Sequence, residues 1–174
     1  MNLEVVNQFK DEIGNAGFEI WELPSVDLKF EAVEKIDLFR SSFGIAFLVF
    51  LKGETTAPEA ALREIKSVTQ SILGNALYDL ENRKGHLLDG YLIIVLPEPP
   101  TDKLKVIVRE FENDPKVCRK NIVWFSDDQL KLVRKEYITF LRLPDPLPFN
   151  SSKSIEFKIS DNAQELLDLS LIHI

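Results

Sequence analysis

The chain has a single cysteine, Cys118, among its 174 residues. One thiol can form no internal disulfide and no cysteine zinc site. Histidine is almost as scarce, with only His86 and His173. A nucleophile–histidine triad or a histidine metal centre therefore has little material to draw on. The 7 glycines are scattered. None of Gly44, Gly53, Gly74, Gly85 and Gly90 opens a helix after a strand in a G-x-G-x-x-G or G-x-x-x-x-G-K-[ST] pattern, so no phosphate-cradling loop is present. Excess positive charge is missing too. The formal net charge is −7 and the sequence pI about 5.0, which disfavours general adhesion to a nucleic-acid backbone. The longest apolar run, Phe43 to Leu51, is too short to span a bilayer as a helix. The polar start Asn2-Leu3-Glu4 has neither a basic n-region nor an apolar h-region. These absences lead us to expect a cytoplasmic protein without cofactor or membrane contact.

What is present is a well-patterned core. Hydrophobic residues make up 45% of the chain, an ordinary share for a globular domain. Val6, Phe9 and Ile13 recur at helical spacing over residues 2–13, with Gly14 and Gly17 as stops. Residues 18–23 alternate as a strand ended by Pro24. Residues 28–39 alternate more loosely and read as one long strand with a bulge. Residues 43–51 read as a strand buried on both faces. Thr56 and Pro58 then open a long helix. Ala61, Ile65, Val68, Ile72, Ala76 and Leu80 form its apolar stripe, and Arg83-Lys84-Gly85 ends it. Tyr91–Leu96 is a second buried strand. Thr101 caps a helix over residues 102–112, Asn121–Phe125 is a third core strand, residues 127–135 read as a short helix, and residues 137–143 as an edge strand. The expected core is Ile45, Phe47, Val49, Ile93, Val95 and Val123 together with the Ile65/Val68/Ile72 face.

Strand, helix, strand, helix, strand implies two crossovers between parallel neighbours. An antiparallel meander precedes them. The order α-β-β-β-α-β-α-β resembles that of the restriction-endonuclease-like core, so a three-layer α/β sheet is expected over residues 1–143. Residues 144–160, rich in proline and serine, read as an arm or linker, in which Leu147 and Phe149 are candidate anchors for a partner. Ser160 can cap a helix that begins at Asp161. Its apolar face, Ala163, Leu166 and Leu167, spans only residues 161–168. The last six residues, LSLIHI (169–174), resemble the in-frame translation of a transposon mosaic end used as a sequencing adapter. They are expected to be an adapter artefact, with the preceding chain an N-terminal fragment.

The endonuclease-like resemblance implies a divalent metal held by an Asp and a Glu from adjacent strands, with a Lys two residues after the Glu acting on the attacking water. Asp27 or Asp37 can supply the first carboxylate. The strand that should carry Glu-x-Lys reads Phe50-Leu51-Lys52, and an apolar side chain cannot ligate a hard cation. The expectation is therefore no metal and no catalytic residue. The alternative is a nuclease-like enzyme with a displaced carboxylate site, its catalytic group being Asp37, Lys52 and Glu54 and its metal ligands Asp27, Asp37 and Glu54. Cys118-Arg119-Lys120 is a second candidate, because cations beside a thiol lower its pKa. On a strand, however, Arg119 points away from Cys118, and a small buried hydrophobe is the plainer reading. Lys116, Arg119, Lys120, Lys131, Arg134 and Lys135 are interleaved with Asp114, Asp127 and Asp128. They read as a mixed solvated face rather than a nucleic-acid groove.

From Tyr91-Leu92-Ile93-Ile94-Val95-Leu96 to Phe111-Glu112-Asn113-Asp114-Pro115-Lys116-Val117-Cys118-Arg119-Lys120-Asn121-Ile122-Val123-Trp124 the chain is similar to small accessory components of bacterial defence-type operons. Those families share an apolar strand, a short helix, an E-x-D-x-x-x-C-R-K turn and a second strand. The resemblance implies an interaction component that works with an ATPase partner of the ABC or AAA type, and it supplies no catalytic residue. Arg119 and Lys120 are the motif cations. They are expected to pair with Glu112 and Asp114 at the turn, or with Leu147 and Phe149 to form the partner-binding set.

Overall fold

In a computed structural model, residues 2–22, 30–53, 58–85 and 87–142 are described. They form an α/β arrangement of one six-stranded mixed sheet and three helices. Helix α1, Leu3–Asn15, is capped by the Asn2 side chain, which accepts from the Glu4 amide at 3.0 Å. It runs through Gly14 and stops only where Gly17 turns left-handed, φ 85°, a conformation that costs glycine little. Strands β1 (Glu19–Ile20), β2 (Val33–Arg40) and β3 (Gly44–Leu51) form an antiparallel meander. Helix α2 (Pro58–Lys84) leads to β4 (Asp89–Leu96), and helix α3 (Asp102–Glu112) leads to β5 (Arg119–Phe125). β3, β4 and β5 are parallel neighbours. β6 (Leu132–Val133) closes the far edge antiparallel to β5, so spatial order equals chain order throughout the sheet.

The two faces of the sheet have separate cores. Alternate residues of the central strands, Phe47, Val49, Leu92, Ile94 and Ile122, pack against Leu62, Ile65 and Leu73 of α2 and Leu104, Val108 and Phe111 of α3. The residues between them, Leu48, Phe50, Ile93, Val95 and Val123, pack against Val6, Phe9 and Ile13 of α1 and against Ile138 and Phe140. All eight residues of β3 are buried, as expected of a strand covered on both sides. Gly90 lets α2 pack tightly on β4: a Cβ there would lie 2.8 Å from a methyl of Leu77 and 3.0 Å from Cβ of Cys118.

Four expectations need correction. The long strand begins at Val33 rather than residue 28: residues 31–32 turn, residues 28–29 lie outside the described set, and the register shifts between Val33 and Lys35. Val68 is not core but 37% exposed, and Thr69 is buried in its place. The Thr69 hydroxyl donates to the Ile65 carbonyl, which satisfies the polar group inside the helix–sheet interface. Residues 127–135 are not helical. The Ser126 hydroxyl accepts from the Lys131 amide, the Asp128 carboxylate accepts from the Leu130 amide, and Gln129 adopts φ 58°. Side chains that capture nearby amides in this way favour turns over helix. Residues 137–142 are not an edge strand, and residue 143 lies outside the described set. Residues 135–137 and 139–142 form short 3-10 turns whose Ile138 and Phe140 fold under the α1 face.

Candidate functional site

The α1 face of β2 is where the carboxylate of a nuclease-like site would stand. Asp37 lies opposite Leu48, and Phe50 lies opposite Lys35, so Asp37 and Phe50 occupy the same face of neighbouring strands. Lys10, one residue past the core residue Phe9, reaches down from α1. Its ammonium is 2.6 Å from Asp37 Oδ2 and 5.9 Å from the centroid of the Phe50 ring. Lys35 approaches the other carboxylate oxygen at 3.0 Å. Two protein cations thus hold the one carboxylate, and an aromatic ring forms the floor. Burial lowers the Lys10 pKa, opposed by its hydrogen bond to Asp37. Lys35 is raised, chiefly through its hydrogen bond within this cluster.

Of the remaining members of the displaced site, only Lys52 lies among the described residues. The Lys52 ammonium bonds the Glu31 carbonyl at 2.6 Å, beyond the end of β3. Asp27 and Glu54, like Leu147 and Phe149 of the arm, lie outside the described residues. Among the described residues no group of three His, Cys, Asp or Glu side chains is placed to hold a metal ion. The crevice at the carboxyl ends of β3 and β4, where open α/β sheets usually take ligands, is narrow. It is lined by Leu51, Lys52, Pro58, Pro97, Pro100 and Leu104 and encloses about 90 Å³, well under the roughly 300 Å³ of a typical small-molecule pocket.

The Cys118-Arg119-Lys120 turn has a different organisation from the one expected. Lys120 is 3% exposed. Its ammonium donates to the carbonyls of Asp114 (2.7 Å), Lys116 (2.8 Å) and Cys118 (3.2 Å), which uses all three of its N–H bonds. Burial lowers its pKa. Asp114 Oδ2 is 3.9 Å from Lys120 but 2.5 Å from Lys66 of α2. The hydrogen bond from Lys66 is the main cause that holds the Asp114 carboxyl down at about 2. Glu112 pairs with neither Arg119 nor Lys120. It accepts from the Ile122 amide at 2.9 Å and from Arg134 at 2.8 Å. Arg134, in a left-handed turn at φ 72°, also lies over the rings of Trp124 and Tyr137. Cys118 is buried, and burial pushes its thiol up to about 11, the opposite of an activated nucleophile. Of the two cations expected to meet a partner, Arg119 is at the surface and Lys120 is turned inward.

Lys10, Lys35 and Lys66 are residues that sequence reasoning missed at these sites, and Arg134 was read only as part of a solvated face. Lys10 had a visible signal, since it borders the Val6–Phe9–Ile13 stripe on the side that α1 turns toward β2. Arg134 had none, because the turn that aims it was read as helix. No helix among the described residues is long and apolar enough to cross a membrane. No protein-family model, no curated protein and no solved structure matches the chain.

Proposed function

We propose that this chain is a non-catalytic interaction module with an endonuclease-like frame, part of a multi-component bacterial defence-type system that works with an ATPase partner of the ABC or AAA type. The observation that carries the non-catalytic reading is the Lys10 ammonium lying 2.6 Å from Asp37 above the Phe50 ring. A fixed cation stands where a metal would need space, and an apolar ring stands where its second carboxylate would be. The α-β-β-β-α-β-α-β order and the sequential strand order support the frame. The E-x-D-x-x-x-C-R-K resemblance supports the choice of system and partner. Leu147 and Phe149 are the anchors proposed for that partner, with Arg119 as an exposed charge beside the turn.

Two measurements test this reading. Purified protein incubated with DNA and RNA in Mg²⁺ or Mn²⁺ is expected to leave both intact; cleavage that disappears in Asp37→Ala would restore the alternative, a metal-dependent nuclease using Asp37, Lys52 and Glu54. Co-expression with an ATPase encoded beside it is expected to give a complex that is lost on replacing Leu147 and Phe149 by Asp. A complex indifferent to both changes would remove the arm from the proposal.

A further inference from the structure

The β5 edge is finished by side chains rather than by a strand. β6 pairs only with Trp124 and Phe125. Past Val133 the chain turns left-handed at Arg134, φ 72°, and leaves for the α1 side of the sheet, where Ile138 and Phe140 are buried. The backbone bonds of the segment that follows run within it, from Tyr137 to Arg134, Ile138 to Lys135 and Leu141 to Ile138. Successive residues of a strand present their peptide groups to opposite sides, so Ile122, like Trp124, turns its N–H and C=O to this edge. Had β6 continued in register, Lys135 would stand opposite Ile122 and bond both groups. Two side chains take its place. Glu112 Oε1 accepts from the Ile122 amide at 2.9 Å, Arg134 Nη1 donates to the Ile122 carbonyl at 3.4 Å, and Arg134 Nη2 donates to Glu112 Oε2 at 2.8 Å. The three bonds close a ring, with the two charges where a neighbouring backbone would lie. Charged groups placed on a strand edge are one way in which natural sheets block pairing with a further strand.

We infer that the Glu112–Arg134 pair is a plug that keeps the β5 edge from pairing with the same edge of a second copy of this chain. Without the plug the edge is self-complementary. In an antiparallel pairing about a twofold axis at Asn121, Lys120 of each copy faces Ile122 of the other, and the two residues exchange both backbone bonds. Arg119 then faces Val123, so no like charges stand directly opposite. The Lys120 side chain does not obstruct the edge, because its ammonium is bonded to the carbonyls of Asp114, Lys116 and Cys118. β6 already occupies Trp124 and limits the new ladder to residues 119–123. With the plug in place, a carboxylate and a guanidinium stand where the incoming Lys120 peptide must bond. Displacing them would cost two charge-assisted bonds to Ile122 and the bond between the pair. The rings of Trp124 and Tyr137, 5.3 and 4.9 Å from the guanidinium, hold the plug from the sides.

Sedimentation velocity and hydrogen exchange on the full chain test this. In the parent, the Ile122 amide is expected to be protected to the same degree at every protein concentration. The double variant Glu112→Ala, Arg134→Ala is expected to exchange that amide about ten- to a hundredfold faster at low concentration. As concentration rises it is expected to sediment as a dimer and to recover protection at Ile122, while β3 and β4 stay protected throughout. Glu112→Gln keeps an acceptor beside the Ile122 amide but loses the ion pair. It is expected to move both readouts in the same direction by less, and it decides the question if the double variant fails to fold. A folded variant that keeps the parent's mass at all concentrations would overturn the inference. So would one that associates while Ile122 stays fast, which would place the contact on another surface. Protection at Ile122 that rises with concentration in the parent would overturn it too, since the edge would then be open with the pair present.

Discussion

A lysine shut away from water is tolerable only when its ammonium is fully bonded, because an unpaired buried charge is very costly. Lys120 meets that condition with three backbone carbonyls, which belong to a turn that has no regular secondary structure to satisfy them. The ammonium does for this turn what a structural cation does elsewhere. Lys120→Met keeps the volume and removes the donors, and is expected to destabilise the protein by about 1–3 kcal/mol, read from the urea midpoint. An unchanged midpoint would show that water replaces the ammonium without loss. Part of this was legible in the sequence: a strand alternates sides, so a buried Cys118 already implies that Lys120 points the same way. The identity of the acceptors was not legible, since it depends on Val117 adopting φ 66°, and a β-branched residue gives no warning of a left-handed turn.

Elements whose pattern comes from burial alone were the ones read correctly. β3 and β4 are continuous apolar runs, and α3 has a side-chain cap at Thr101 and a three-residue apolar stripe of Leu104, Val108 and Phe111. Where polar side chains decide the backbone, the reading failed. The Ser126–Lys131 turn defeated a helical spacing, and Ile138 and Phe140 imitated strand alternation from 3-10 turns. From Thr69 onward the buried line of α2 (Thr69, Leu73, Leu77) lies one residue, about 100° of helix, from the stripe read in the sequence (Val68, Ile72, Ala76), because Thr69 hides its polarity in a bond to its own helix. The difference between the two sides of α2 and β3 is measurable. Phe47→Ala removes a fully buried ring from the centre of the sheet and is expected to cost about 3–5 kcal/mol. Val68→Ala is expected to stay within about 0.5 kcal/mol. Comparable losses from both in chemical denaturation would mean that α2 is rotated from the position described.

At the scale of the whole molecule, Asp114 joins three elements: Lys66 of α2, the end of α3, and the turn into β5. Its carboxyl lies at about 2 in the folded chain against an ordinary 3.8. Below the higher value the unfolded chain takes up the proton first. The stabilisation is therefore complete above about pH 4 and is lost as pH falls through about 2. Asp102 and Asp128 are lowered as well, so a comparison isolates Asp114. Lys66→Gln is expected to flatten the fall in stability between pH 4 and pH 2 relative to the parent, as followed by denaturant midpoints, and parallel curves would count against the staple. The candidate site shows the same limit of legibility as the fold. Phe50 in place of a metal-binding Glu could be read from the strand alone, but the Lys10 ammonium above Asp37 arises only when α1 is laid across the sheet, a contact between segments that no local pattern encodes.

The layer beneath α1 also has a consequence for how the protein is made. Helix α1 is translated before the central strands, yet Val5, Val6, Phe9 and Ile13 share their core with Ile138 and Phe140, and Glu12 meets Lys135 at 2.5 Å across 123 residues of chain. While the ribosome is still producing the central strands, the apolar side of the nascent helix has no complete cover. Contacts so distant in sequence form late, and exposed apolar surface on an unfinished chain is prone to association. The first thirteen-residue helix is thus the segment a chaperone would meet, and polypeptides released before residue 140 should collect in the insoluble fraction of the cell.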